Sequence, residues 1–176
     1  FSSKDLRNTN ELKANKEISV KNLENTGNVL TEDILNVDGS LNNSGNIQAN
    51  SKIEVANNLK NNGSVKSLDS ISINGNVNND GEILTNKNFI AKDVISSKTL
   101  IAKENISVNN LNNSGAVATE KKLEINGSLE NKGKIQAIED IKISENANNS
   151  GSILTNSKFS SKDLRNTNEL KANKEI

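Results

Sequence analysis

The carboxylates Asp5, Asp33, Asp38, Asp69, Asp80, Asp93 and Asp140 are the groups from which a polysaccharide-cleaving site would have to be assembled. Such a site needs acids clustered on one face, usually with Ca²⁺ or a basic residue beside them. No three of these aspartates share a phase in the repeat described below, so they read as a solvated surface. Other chemistries are excluded by residue type. The chain has no His and no Cys, which removes the commonest general base, the commonest metal ligand and any thiolate. Serines therefore lack an imidazole partner, and no S-x-x-K occurs. There is no calcium loop of the D-x-[DN]-x-[DN]-G type, and the glycines are isolated rather than grouped to cradle phosphate. No catalytic, ligand-binding or metal-ligating residue is assigned, no cofactor is expected, and the chain is not expected to be an enzyme.

Binding chemistries fare little better. Lys and Arg number 22, Asp and Glu number 22, and aromatic residues make up 2% of the 176 positions. A neutral chain without interleaved aromatics is a poor nucleic-acid binder, so no nucleic-acid partner is expected. With no Trp or Tyr to stack on a sugar, a lectin-like groove is not expected either. The N-x-S triplets at 42–44, 112–114 and 148–150 are no more than an Asn-rich composition produces. No run approaches the ~18 apolar residues of a membrane span, and Phe1 opens nothing like a signal peptide, so the piece is expected to be internal to a longer chain.

The spacing of the remaining residues is far more informative. The 18 residues 1–18 recur unchanged as 159–176, which defines a tandem unit 1–158 with 159–176 opening the next copy. Within the unit a finer period of 18 aligns 41–58, 59–76, 77–94, 111–128 and 129–146 on one line, L-x-N-x-G-x-[IV]-x-[AST]-x-x-x-[ILF]-x-[VI]. Column seven runs Leu12, Val29, Ile47, Val65, Ile83, Leu100, Val117, Ile135, Ile153, Leu170. Column nine is always small, from Ala14 and Thr31 to Thr155 and Ala172, and column thirteen is always Ile, Leu or Phe. Two rows, 7–22 and 95–110, count 16 residues; with them nine rows fill the 158-residue unit. In this alignment Arg7 takes the usually apolar first column of its row. The short rows are read as tightened corners that keep the columns in register; a repeated docking spot at Arg7 and Glu11 is the alternative.

Apolar residues alternate with polar ones over runs of three to five, which is strand periodicity. A strand so short cannot bury its apolar face alone, whereas stacked copies can. The expected fold is all-β: a β-solenoid whose turns lie ~4.8 Å apart. Seven glycines occupy column five: Gly27, Gly45, Gly63, Gly81, Gly115, Gly133 and Gly151. They are expected at bends that require positive φ or close approach. Two positions earlier stand Asn25, Asn43, Asn61, Asn79, Asn113, Asn131 and Asn149, expected to stack as an amide ladder; the alternative is that Asn is there for its tolerance of left-handed backbone.

The motif in 41–49 (LNNSGNIQA) and 129–137 (LENKGKIQA) resembles the repeats of filamentous haemagglutinin-type exoproteins of two-partner secretion, and the related shafts of contact-dependent growth-inhibition proteins. The resemblance implies a right-handed parallel β-helix, export through an outer-membrane partner pore and display at the cell surface. The short rows depart from the motif, lacking its Asn and Gly in this alignment. A left-handed β-helix is the alternative fold, because Leu41, Ile47, Ile53 and Leu59 fall six apart; the 16-residue rows count against it. The expected role is the structural shaft of a large secreted adhesin. Its partners would be neighbouring copies end to end, and a host or bacterial surface reached through regions outside this stretch. A toxin-delivery stick, a self-assembling extracellular fibre and, last, a polysaccharide-active β-helix enzyme are the alternatives.

Overall fold

The computed structural model describes all 176 residues as a parallel β-solenoid of about ten turns without any helix. Each turn has three strands and three corners. The strand at columns six to nine forms face A, a ten-stranded parallel sheet running from Glu11–Ala14 to Glu169–Ala172 without interruption. Strands at columns thirteen to fifteen (face B, such as Leu35–Val37) and one to three (face C, such as Leu41–Asn43) together make a 16-stranded sheet. They join because Ile18–Asn25, Phe89–Ser96 and Ile106–Asn113 run continuously across the corner between them.

The alternation seen in the sequence is the alternation of inside and outside. Val29 pairs with Ile47, Ile47 with Val65, Val65 with Ile83, and so on along column seven. Column thirteen stacks in the same way, with Ile18 on Leu35, Leu35 on Ile53 and Phe89 on Ile106. Like therefore lies on like in successive turns, and 36 buried apolar residues form one core. Each fully buried Leu or Ile gains roughly 1.5–3 kcal/mol over the exposed state, but a single turn could cover none of them alone.

The structure corrects the row boundaries. Leu6 pairs with Leu23, Val77 with Val94, and Ala147 with Leu164, so column one is apolar in every turn. Arg7 belongs to column two, opposite Glu24 and facing outward. The rows 7–22 and 95–110 are thus not 16-residue turns; the short turns have 17 residues, and there are four of them per unit, opened by Leu6, Val77, Val94 and Ala147. In each the missing residue is lost at one corner, between faces B and C, where Ile18 and Leu23 are five apart but Leu35 and Leu41 are six apart. Arg7 and Ile95 follow the true row openers Leu6 and Val94 by one residue, and residue type alone does not mark which of the two takes column one. The six-residue spacing on which the left-handed alternative rested is intact at the other two corners of every turn.

Glycine at column five is explained by approach rather than by dihedral angle, since no residue has positive φ. A Cβ on Gly45 would run into the carbonyl oxygen of Gly27, and one on Gly63 into that of Gly45. The same oxygens accept from the next turn, as in Ser64 N–H to Gly45 O at 2.9 Å. Replacing Gly63 with Ala should lower stability by about 1–3 kcal/mol, the range for overpacking, through a shift in the urea midpoint at unchanged m-value; an unshifted midpoint would show that the turns have room to spare.

Candidate functional site: a buried asparagine ladder

The chain's most ordered polar feature is column three. The structure brings the seven predicted asparagines into one line and adds members at both ends: Asn8, Asn25, Asn43, Asn61, Asn79, Ser96, Asn113, Asn131, Asn149 and Asn166. The first turn therefore does carry the motif's Asn, as Asn8, and the turn opened by Val94 carries Ser96 in its place. The glycine column is likewise completed by Asn10 and Lys98, whose carbonyls accept from Asn28 and Ala116 as the glycine carbonyls do elsewhere.

Every ladder amide donates toward the C-terminal side. Asn25 Nδ2 reaches Asn43 Oδ1 at 2.8 Å, Asn43 reaches Asn61 at 2.8 Å, and Asn61 reaches Asn79 at 2.9 Å. From Asn8 to Asn149 each Nδ2 also serves two main-chain carbonyls, except that of Asn79, which reaches only Thr99 O at 2.8 Å. For Asn43 these are Gly45 O and, in the next turn, Ser64 O, both at 3.0 Å. The Oδ1 of Asn61 additionally accepts from Gly63 N–H at 3.2 Å. One buried side chain thus closes its own corner and ties it to the next. The amides from Asn25 to Asn149 are at most 2% exposed, and no buried side-chain polar atom lacks a partner. The left-handed-backbone explanation for these asparagines falls with the absence of positive φ. A neutral amide column sealed from water offers neither a proton nor a free donor to a ligand; what it does is fix register.

The ladder has one interruption. Asn79 donates to Ser96 Oγ at 3.2 Å, and the run resumes with Asn113 to Asn131 at 2.9 Å. The hydroxyl is too short to carry the relay onward to Asn113.

Two further polar columns were not anticipated. At column nine the hydroxyls of Thr31 and Ser67 donate back to main-chain carbonyls of the preceding turn, Lys16 O at 2.6 Å and Ser51 O at 2.5 Å, and accept from the N–H two residues on. Thr85, Thr119 and Thr155 repeat this with Asp69, Glu104 and Glu139. The signal was present as the recurrence of Thr or Ser in a column otherwise filled by Ala. At the corner between faces B and C, Asn22 Nδ2 donates to Asp5 Oδ1 at 2.7 Å and Asn22 Oδ1 accepts from Ser40 N–H at 2.9 Å. Asp93, Asn110 and Ser128 repeat that relay at 2.7 and 2.8 Å.

The carboxylates do not converge. Asp5 and Asp93 share a column five turns apart, Asp33 and Asp69 lie two turns apart at another corner, and no three acidic groups gather as a metal would require. What the charges do is pair between consecutive turns, as in Lys87 with Asp69 at 2.8 Å, Lys158 with Glu175 at 2.7 Å and Lys162 with Glu145 at 3.1 Å. Arg7 lies 3.8 Å from Glu24, and nothing joins it to Glu11. The hydrogen bond from Lys87 holds the Asp69 carboxyl below its ordinary value of 3.8, that from Asn110 does so for Asp93, and that from Ser157 for Asp140. These groups are open to solvent, so each contributes little.

The concavities are shallow. The largest, about 580 Å³, lies against the last turn beside Phe159, Leu164 and Ile176. Another of about 420 Å³ follows the edge of face C among Asn42, Lys60, Asn78 and Asp93. Neither has an aromatic wall of Trp or Tyr, and neither overlies the ladder. No protein-family model matches the chain, and neither a curated protein nor a solved structure resembles it at a significant level.

Ser96→Asn should complete the relay and raise stability by about 1 kcal/mol, the net yield of a typical hydrogen bond; a lower urea midpoint would mean that the site cannot take the larger side chain. Asn61→Asp keeps the shape but removes the donor and buries a charge. It should be strongly destabilising at pH 7 and recover relative to the parent on acidification, because burial favours the neutral acid. In the parent chain, the lowered carboxyls bind their protons more weakly when folded than unfolded. Their stabilisation is complete above 3.8 and is lost as the pH falls below it. The urea midpoint should therefore be level near neutrality and decline in acid; a rise in acid would contradict the assignment.

Proposed function

We propose that the chain is a stretch of the rigid shaft of a large secreted surface protein, an adhesin built on tandem copies of this unit. The observation that carries the reading is the phase of the duplicated segment. Leu6 and Leu164 both stand in column one, Asn8 and Asn166 in column three, and Leu12 and Leu170 in column seven. The 158-residue offset therefore equals nine whole turns, so copies joined head to tail continue the columns without a step. A repeat that did not close on a whole number of turns would break the core and the ladder at each junction. At ~4.8 Å per turn, each copy adds roughly 43 Å of rod.

The resemblance to filamentous haemagglutinin-type exoproteins supplies the rest of the proposal: passage through an outer-membrane partner pore, display at the cell surface, and contact with a host or bacterial surface through regions beyond this stretch. Composition supports passage through such a pore, since a chain without Cys forms no disulfide that would have to be opened first. Nothing in this role asks the segment for catalysis. The toxin-delivery stick shares the same shaft and differs only in what it carries.

Chains of two, three and four tandem units, imaged by electron microscopy, should give unbranched rods whose length grows by about 43 Å per unit. Compact particles, or lengths that do not scale with copy number, would overturn the shaft. Surface display is tested separately, by protease accessibility of the native protein on intact cells.

A further inference from the structure

At an intact rung of the ladder, three oxygens converge on one amide nitrogen. Asn61 Nδ2 lies 2.9 Å from Asn79 Oδ1, 3.2 Å from Gly63 O and 3.0 Å from Glu82 O. Asn113 and Asn131 repeat the arrangement at 2.7–3.2 Å. In the turn opened by Val94 the corresponding oxygens are Asn113 Oδ1, Lys98 O and Ala116 O. Register is kept there, with Ser96 opposite Asn113 and Thr99 opposite Ala116, so these oxygens stay convergent.

Ser96 does not reach them, being shorter than Asn by the carboxamide carbon and one polar atom. Asn113 Oδ1 is the one amide oxygen from Asn25 to Asn166 that accepts from no ladder nitrogen. Ala116 O is the one column-six carbonyl from Asn28 to Glu169 that accepts from none. The Ser96 side chain is 0% exposed; its oxygen accepts from Asn79 at 3.2 Å, and its proton has no acceptor.

We infer that one buried water binds at this point in each tandem unit. It accepts from the Ser96 hydroxyl and donates to Asn113 Oδ1 and to one of the two carbonyls, Ala116 O or Lys98 O. That gives it the two to four polar partners a buried water requires, and the volume released by Asn becoming Ser comes close to the ~30 Å³ share of one water. The relay then runs from Asn79 to Ser96, from Ser96 to water and from water to Asn113, donating toward the C-terminal side as it does elsewhere. Without the water, a hydroxyl proton and an amide lone pair would be sealed away from any partner, which costs more than immobilising one solvent molecule. The surroundings select water over a cation, because every converging oxygen is neutral. Asp80, the acid one column along in the preceding turn, is exposed and takes the Ser97 hydroxyl at 2.5 Å. The site goes beyond the shaft reading and would hold in a rod of any purpose.

Magnetic relaxation dispersion of the water signal counts long-lived internal waters. Ser96→Asn supplies the nitrogen and should lose one such water relative to the parent. Asn61→Ser recreates the same set of oxygens around a shortened side chain and should gain one. Either variant that folds, by circular dichroism, decides the matter: an unchanged count in it would overturn the site. Exchanging sodium and potassium in the buffer for tetramethylammonium should shift the urea midpoints of parent and Ser96→Asn equally. A drop confined to the parent would mean that a metal cation binds there, and would overturn the assignment to water.

Discussion

Everything in this molecule depends on turns lying on one another with the same column above the same column. Three-residue strands have too few hydrogen bonds and too little apolar area to stand alone. The stack removes that weakness by giving each strand two neighbours and each buried Leu, Ile or Val two like residues to pack on. A slip of one residue would send the whole apolar set outward. The buried amides make that slip costlier still, because each ladder Asn binds its neighbour's side chain, its own corner and the next turn's main chain at once. Displacing one turn would strand several polar groups in a dry interior, at roughly 1–3 kcal/mol for each.

The same demand for register explains the surface. Salt bridges run between consecutive turns, and the Thr hydroxyls and the Asp5–Asn22 relay do likewise. Stability is therefore a nearest-neighbour sum along the axis, as in other solenoids. Such a molecule has no centre and no cleft. It converts chain length into physical length, which is compatible with a structural rod.

Much of this was legible in the sequence, and for a physical reason. In a solenoid each column repeats its environment, so one chain serves as ten readings of the same position. Columns seven, nine and thirteen, the asparagines and the glycines could be aligned by type alone. What escaped was what the repeats do not share. Leu6 and Val94 were overlooked as row openers because the shortened corner shifts phase by one residue, and residue type cannot locate a deletion inside a loop. The glycines were placed correctly, but their cause is a neighbouring carbonyl that only the stacked backbone reveals. The hydrogen bonds of Thr31 and Asn22 depend on corner geometry, which periodicity does not report.

The most direct measurement is hydrogen exchange of the asparagine side-chain amides, resolved by NMR. Asn42 and Asn43, and likewise Asn112 and Asn113, are adjacent in sequence but face opposite ways, the first of each pair exposed and the second buried. The account requires the side-chain protons of Asn43, Asn61, Asn113 and Asn131 to exchange only through opening of the stack, while those of Asn42 and Asn112 exchange freely. Comparable rates within each pair would contradict it, because turns that do not hold their amides in line are not held in register.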